Sequence, residues 1–185
     1  MTLNFEKEKL ISELKERKPK KVLVQLAEGI KQNAPEISEW ITSLGIECIF
    51  SGETCWGACS VAVQEAQALG VDLIVHFGHA QFIPVDFPIL YMEVQDVLDL
   101  KPLLNKSLDS LKNYHKVGLS YSIQHRHDIE NIKKFYEEHG KQVTLSKKAG
   151  TNAYEGHITG CEYRGLRAIQ EDVDCFVIIG NQFHS

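Results

Sequence analysis

The sequence has no run of about eighteen apolar residues, the length that a membrane-spanning helix requires. Its N-terminus is charged (Glu6, Lys7, Glu8, Lys9) where a secretion signal would be apolar. No membrane association is therefore expected. An excess of positive charge is also missing: 20 Lys and Arg stand against 25 Asp and Glu, for a net charge of −5. That balance argues against direct nucleic-acid binding, and the short basic stretch from Lys15 to Lys21 reads as a solvated helix end. There is no dinucleotide glycine fingerprint, no phosphate loop and no His-Glu-x-x-His metal helix. Charged residues are only 24% against 43% hydrophobic, so the chain is globular and not disordered. Five cysteines without a secretion signal point to a reducing, cytoplasmic setting. Metal binding or catalysis then explains them better than disulfides do.

What the sequence does have is a repeated frame around a cysteine. Cys59 is followed by Ala66, Val71, Asp72, Val75 and Gly78; Cys161 is followed by Ala168, Val173, Asp174, Val177 and Gly180 at the same offsets. Upstream, Val22 and Gly45 answer to Val117 and Gly140 at the same separation. The fold class expected is α/β: two homologous parallel-sheet βαβ domains, residues 1–98 and 99–185, each built from short apolar strands joined by crossover helices. In the first copy the pattern predicts a helix over 5–17, strands over 22–26, 46–50, 73–77 and 89–94, and a helix entered at Asn33-Ala34-Pro35. A further helix is expected to carry Cys59 at its start and to end near Gly70. Residues 95–115 are expected to hold a joining helix. The second copy predicts strands over 117–121, 142–145 and 175–179, a helix over 129–139, and another beginning near Cys161. It stops before any counterpart of the strand at 89–94, as a fragment would.

Cys59 and Cys161 thus fall between a strand-ending loop and a helix start, where ligands of open α/β sheets gather and where a thiolate is stabilised. Two related thiols point to a shared soft metal or cluster as ligand. Cys55 is a weaker candidate, and the three-cysteine loop of ordinary radical enzymes would need a cysteine where Ala62 stands. Cys48 and Cys175 lie in apolar strands and read as core. His76 and His79 follow a strand; they suit a metal, an anion, or one hydrogen-bonded core histidine beside an exposed one. Glu28-Gly29 suits a ligand amine or ribose hydroxyl, and equally a plain turn. His125-Arg126-His127 suits an anion, and equally a solvated helix start.

Five segments together resemble a known family. They are Leu26-Ala27-Glu28-Gly29-Ile30, Gly52-Glu53-Thr54-Cys55-Trp56-Gly57-Ala58-Cys59, Val75-His76-Phe77-Gly78-His79, Thr159-Gly160-Cys161 and Ile179-Gly180-Asn181-Gln182-Phe183-His184. In this order they are similar to the archaeal and eukaryotic diphthamide synthases. The resemblance implies three homologous α/β domains, each giving one cysteine to a single 4Fe–4S cluster, with S-adenosylmethionine on the fourth iron. It implies transfer of a 3-amino-3-carboxypropyl radical to a histidine of translation elongation factor 2, with methylthioadenosine as by-product. It makes Cys59 the first cluster ligand and Cys161 the second. Glu28, Gly29, His76, Gly78 and His79, at or next to strand ends, are the expected cofactor-binding positions. The resemblance further implies a homodimer and an electron-donating reductant protein. The chain departs from the pattern at Ala27, where proline is usual, at Glu53 and Trp56, and in lacking a third domain with its cysteine. Two alternatives stand beside this reading: another three-cysteine enzyme resembling quinolinate synthase, and a non-catalytic partner subunit.

Overall fold

Each apolar run of four to six residues becomes a parallel strand, and the intervening amphipathic stretches become the helices that parallel pairing requires. The computed structural model of the chain describes residues 2–180. These fall into two units, Asn4–Val94 and a second that joins residues 2–3 to 95–180.

In the first unit, helix α1 (Lys7–Arg17) buries Leu10 and Leu14 and leads into β2 (Lys21–Leu26). A 3-10 turn over Glu28–Asn33 precedes α2 (Ala34–Thr42), which carries Pro35 in its first turn. There proline forfeits no helical hydrogen bond. Strand β3 (Glu47–Phe50), helix α3 (Val63–Leu69), and strands β4 (Leu73–Phe77) and β5 (Ile89–Met92) complete the unit. The sheet order is β3-β2-β4-β5, all parallel, with Val22 opposite both Cys48 and Leu73. The central strands β2 and β4 are buried along almost their whole length, as expected of a sheet covered on both faces. Gly70 closes α3 at φ +60°, the left-handed position where glycine avoids a Cβ penalty.

The second unit repeats this plan. After β6 (Gln95–Val97) and α4 (Lys101–Leu111) come β7 (Lys116–Tyr121), a 3-10 turn over Ile123–Asp128, α5 (Ile129–Glu138), β8 (Gln142–Leu145), a short α6 (Arg164–Arg167) and β9 (Cys175–Ile179). The order is β8-β7-β9, again parallel, with Val117 opposite Val143 and Cys175. Its core contains Leu104, Leu111, Leu119, Ile129, Ile132 and Tyr136. Burying Leu119 or Ile132 contributes roughly 1.5–3 kcal/mol each, and the Tyr136 hydroxyl is bonded to Ser107 Oγ at 2.9 Å.

The duplication reaches the hydrogen bonds. Asp72 accepts from the backbone N–H of Lys20 (2.7 Å) and Lys21 (3.0 Å); Asp174 accepts from those of His115 and Lys116, both at 2.7 Å. Both carboxyls are held below the usual range by these backbone donors. Each therefore locks the start of one sheet's third strand to its first.

Most strands and helices lie where the sequence predicts them. The short pair β1 (Thr2–Asn4) and β6 was not anticipated. The helices expected at the two cysteines begin later, at Val63 and Arg164. In the first unit the reason is visible: Ser60 N–H closes a turn on Gly57 O at 3.0 Å, and the Ala62 N–H is taken by Gln25 Oε1, so helical bonding starts only at Ala62. Asn181-Gln182-Phe183-His184 of the last motif lie outside the described residues. No described helix is long and apolar enough to cross a membrane.

Candidate metal and cofactor site

Within the first unit, three polar side chains converge where β2 and β4 end at their carboxyl edge: Gln25, His76 and His79. Gln25 is the one polar residue of β2 in its buried run, and His76 lies opposite it on β4. Gln25 Nε2 donates to Ser60 O at 2.7 Å, which fixes which way the amide faces. Its Oε1 then accepts from Ala62 N–H (3.2 Å) and lies 2.9 Å from His76 Nδ1. An acceptor there requires His76 to carry its proton on Nδ1. Burial, reinforced by the neighbouring His79, pushes the His76 pKa down to about 3, so the ring is neutral. His76 Nε2 is then an acceptor, and His79 Nδ1, 3.0 Å away, must be the donor. One glutamine thus sets the tautomer of two histidines. The Tyr91 ring flanks His76 at 5.5 Å between centroids.

Cys55 adds a thiol to this group. Its sulfur and one nitrogen from each of His76 and His79 lie within 4.8 Å of one another. The thiol is buried, and desolvation raises its pKa. Its backbone N–H points to Glu28 Oε1 at 3.4 Å. Glu28 opens the 3-10 turn after β2, pairs with Lys31 Nζ at 2.6 Å and has its pKa lowered by that contact. Gly78 follows β4 at φ +92°, where a Cβ would lie 3.5 Å from Ala27 Cβ. The turns after β2 and β4 therefore pack against each other. Around Gly29 there is open space within 4 Å. Glu28, Gly29, His76, Gly78 and His79 thus all sit at this one sheet edge.

Cys59 is exposed, on the turn that ends at Ser60. In the second unit Cys161 is exposed too, and its sulfur lies 3.8 Å from Thr159 Oγ1. The Cys161 loop is tied down beneath it. Asn152 Nδ2 donates to Glu162 O (3.2 Å), Tyr163 Oη donates to Gly160 O (2.7 Å), and Arg164 clamps Glu162, whose pKa it holds down to about 2. Neither thiol begins a helix, so the helix dipole is not what positions it. A tethered loop presents each sulfur to solvent at the carboxyl side of its sheet. Cys48 and Cys175 are half-buried in β3 and β9, and burial pushes Cys48 up to about 11. Four residues before Cys161 stands His157, so Cys55 has a histidine as its counterpart.

Gln25 and the grouping of Cys55 with the histidines were not read from the sequence. The available signal was one amide inside an otherwise apolar strand, which a buried sheet tolerates only with partners.

The diphthamide synthesis protein family matches residues 26–185. The chain is 28% identical over 159 residues to the 2-(3-amino-3-carboxypropyl)histidine synthase of Pyrococcus horikoshii, covering 85% of this chain and 46% of that protein. It is 32% identical over 192 residues to subunit 1 of that synthase from Schizosaccharomyces pombe, covering 98% of this chain and 43% of the relative. Among solved structures it resembles Dph2 from Pyrococcus horikoshii with a 4Fe–4S cluster, at a TM-score of 0.89 and 26% identity, over 97% of this chain and 53% of that one. The chain spans about half the length, or a little less, of the curated relatives it matches.

Proposed function

The chain belongs to the diphthamide synthesis protein family, and on that premise we propose that it forms part of a transferase for the first step of diphthamide formation. The group moved is the 3-amino-3-carboxypropyl group of S-adenosylmethionine, the acceptor is a histidine of translation elongation factor 2, and the cofactor is a 4Fe–4S cluster. The observation that carries this reading is the pair of exposed, uncrosslinked thiols, Cys59 and Cys161, one on a tethered loop in each copy of the fold. Free thiolates are the donors that iron–sulfur clusters take, so the donor chemistry fits. In this reading Cys59 and Cys161 give two ligands, and the third thiolate comes from a further domain, a second copy or a partner protein. When bound and reduced, the cluster supplies the electron that opens a carbon–sulfur bond of S-adenosylmethionine.

The chain's own residues bind and orient. Glu28 offers a carboxylate to the substrate's amine or ribose hydroxyls, and open space at Gly29 lets the ligand approach the backbone. His76, buried and held neutral, orients the half-buried His79 ring at the same edge through the contact between Nε2 and His79 Nδ1. The relatives named as synthases and the cluster-bearing Dph2 neighbour support this reading.

The test is methylthioadenosine release. The chain is reconstituted anaerobically with iron and sulfide, reduced, and given S-adenosylmethionine and elongation factor 2, alone and with a full-length family member whose own first two cluster cysteines are replaced by alanine. The proposal expects methylthioadenosine in step with histidine modification, dependent on Cys59 and Cys161. Release of deoxyadenosine in its place, or modification that ignores both cysteines, would overturn it.

A further inference from the structure

We propose that Cys55, His76 and His79 form a second metal site, separate from Cys59 and Cys161, that takes a zinc-class divalent cation through one thiolate and two imidazoles. All three residues lie within the Asn4–Val94 unit, so the site is complete inside one copy of the fold.

Three observations carry this. First, the donor atoms are already gathered within 4.8 Å of one another. A tetrahedral zinc site, with bonds of about 2.0–2.3 Å, needs its ligands roughly 3.3–3.8 Å apart. The two histidine nitrogens stand at 3.0 Å, so closure asks for side-chain shifts of roughly 1 Å. Second, the donor set is selective: thiolate plus imidazole suits zinc or cobalt(II), whereas magnesium and calcium prefer oxygen. Third, the site has an orienting partner. A metal-bound histidine nearly always donates its other N–H to a fixed acceptor. His76 does this already, through Nδ1 to Gln25 Oε1 at 2.9 Å, and Gln25 is itself held by Ser60 and Ala62. A histidine needed only for packing would not require its Nδ1 proton to be fixed so that Nε2 faces a second histidine and a thiol.

On binding, the Cys55 thiol gives up its proton to solvent, and His79 carries its proton on Nε2 so that Nδ1 can bond the cation. The contact between the two histidines is replaced by bonds to one ion, and three protein ligands leave a fourth position open. The consequence is mechanical. Cys55 belongs to the same loop as Cys59, so the cation pins that loop to the end of β4 independently of any ligand on Cys59.

The experiment uses the full chain purified free of iron and titrated with cobalt(II), then with zinc. We expect one equivalent of cobalt to give intense tetrahedral visible bands and a thiolate-to-cobalt charge-transfer band, both removed by zinc. Cys55→Ser should abolish the charge-transfer band. His79→Gln, at a half-buried position, should weaken binding tenfold or more. Gln25→Ala should weaken it by about 10- to 100-fold. Cys59→Ser and Cys161→Ser should keep the band, and that separates this site from the cluster reading. Circular dichroism of each variant identifies any that fails to fold. A wild-type chain without the band, a band that survives Cys55→Ser, or a band lost with Cys59→Ser would overturn the proposal.

Discussion

Replacing Gln25 with leucine, similar in size but apolar, tests the polar core of the first unit. Three groups lose their partner: Ser60 O, Ala62 N–H and His76 Nδ1. Ser60 is exposed and its carbonyl can turn to water, whereas Ala62 and His76 are buried at 3% and 0% exposure. Each buried group left unsatisfied costs about 1–3 kcal/mol, so the two together cost about 2–6 kcal/mol. Urea unfolding measures this. With a slope of about 1–3 kcal/mol per molar, the midpoint should fall by roughly 1 M or more at unchanged slope. Nitrogen NMR of the histidine rings gives an independent readout: the wild type should show His76 protonated on Nδ1, and the variant should lose that preference. A stability loss below about 1 kcal/mol, with His76 unmoved, would refute the reasoning that Gln25 organises this edge.

The paired aspartates set an acid limb. Asp72 and Asp174 have folded pKa values below their unfolded ones, so their stabilisation is fully present above the unfolded value of about 3.9 and is lost as pH falls through the lower folded value. The double variant Asp72→Asn with Asp174→Asn should therefore be less stable at neutral pH and show a flatter stability curve below about pH 4. An acid limb as steep as that of the wild type would contradict this. Gly165→Ala places a Cβ against the backbone carbonyl of Lys147, which cannot swing aside as a side chain can. A loss of about 1–3 kcal/mol in the second unit is expected, along with faster alkylation of Cys161 as its loop loosens. Unchanged stability and reactivity would show that the loop relaxes freely.

The sheets were legible because their signal is local. Val22-Leu23-Val24 and Leu73-Ile74-Val75 are short apolar runs flanked by helix stops, and a strand buried on both faces reads that way. The duplication was legible because Asp72 and Asp174, which clamp each sheet, must keep their distance from the strands they join. The onset of α3 was not. It is set by Gln25, a residue 37 positions away that captures the Ala62 N–H, and no local propensity encodes that bond. The grouping of Cys55 with the histidines was hidden for the same reason. His76 and His79 are neighbours in sequence, but the thiol and the amide reach them from other segments. The separate two-stranded pair β1 and β6 has three residues per strand, too short for a periodic pattern.

Anaerobic reconstitution of Cys59→Ala and Cys161→Ala beside the wild type, each with a full-length family member and then re-isolated from it before absorption and iron are measured, tests the central claim most directly. If these two thiols hold one iron–sulfur cluster, the brown absorption and the bound iron of the wild-type chain are lost in either variant, while Cys48→Ala retains both. A cluster that forms undiminished in both variants would contradict the account.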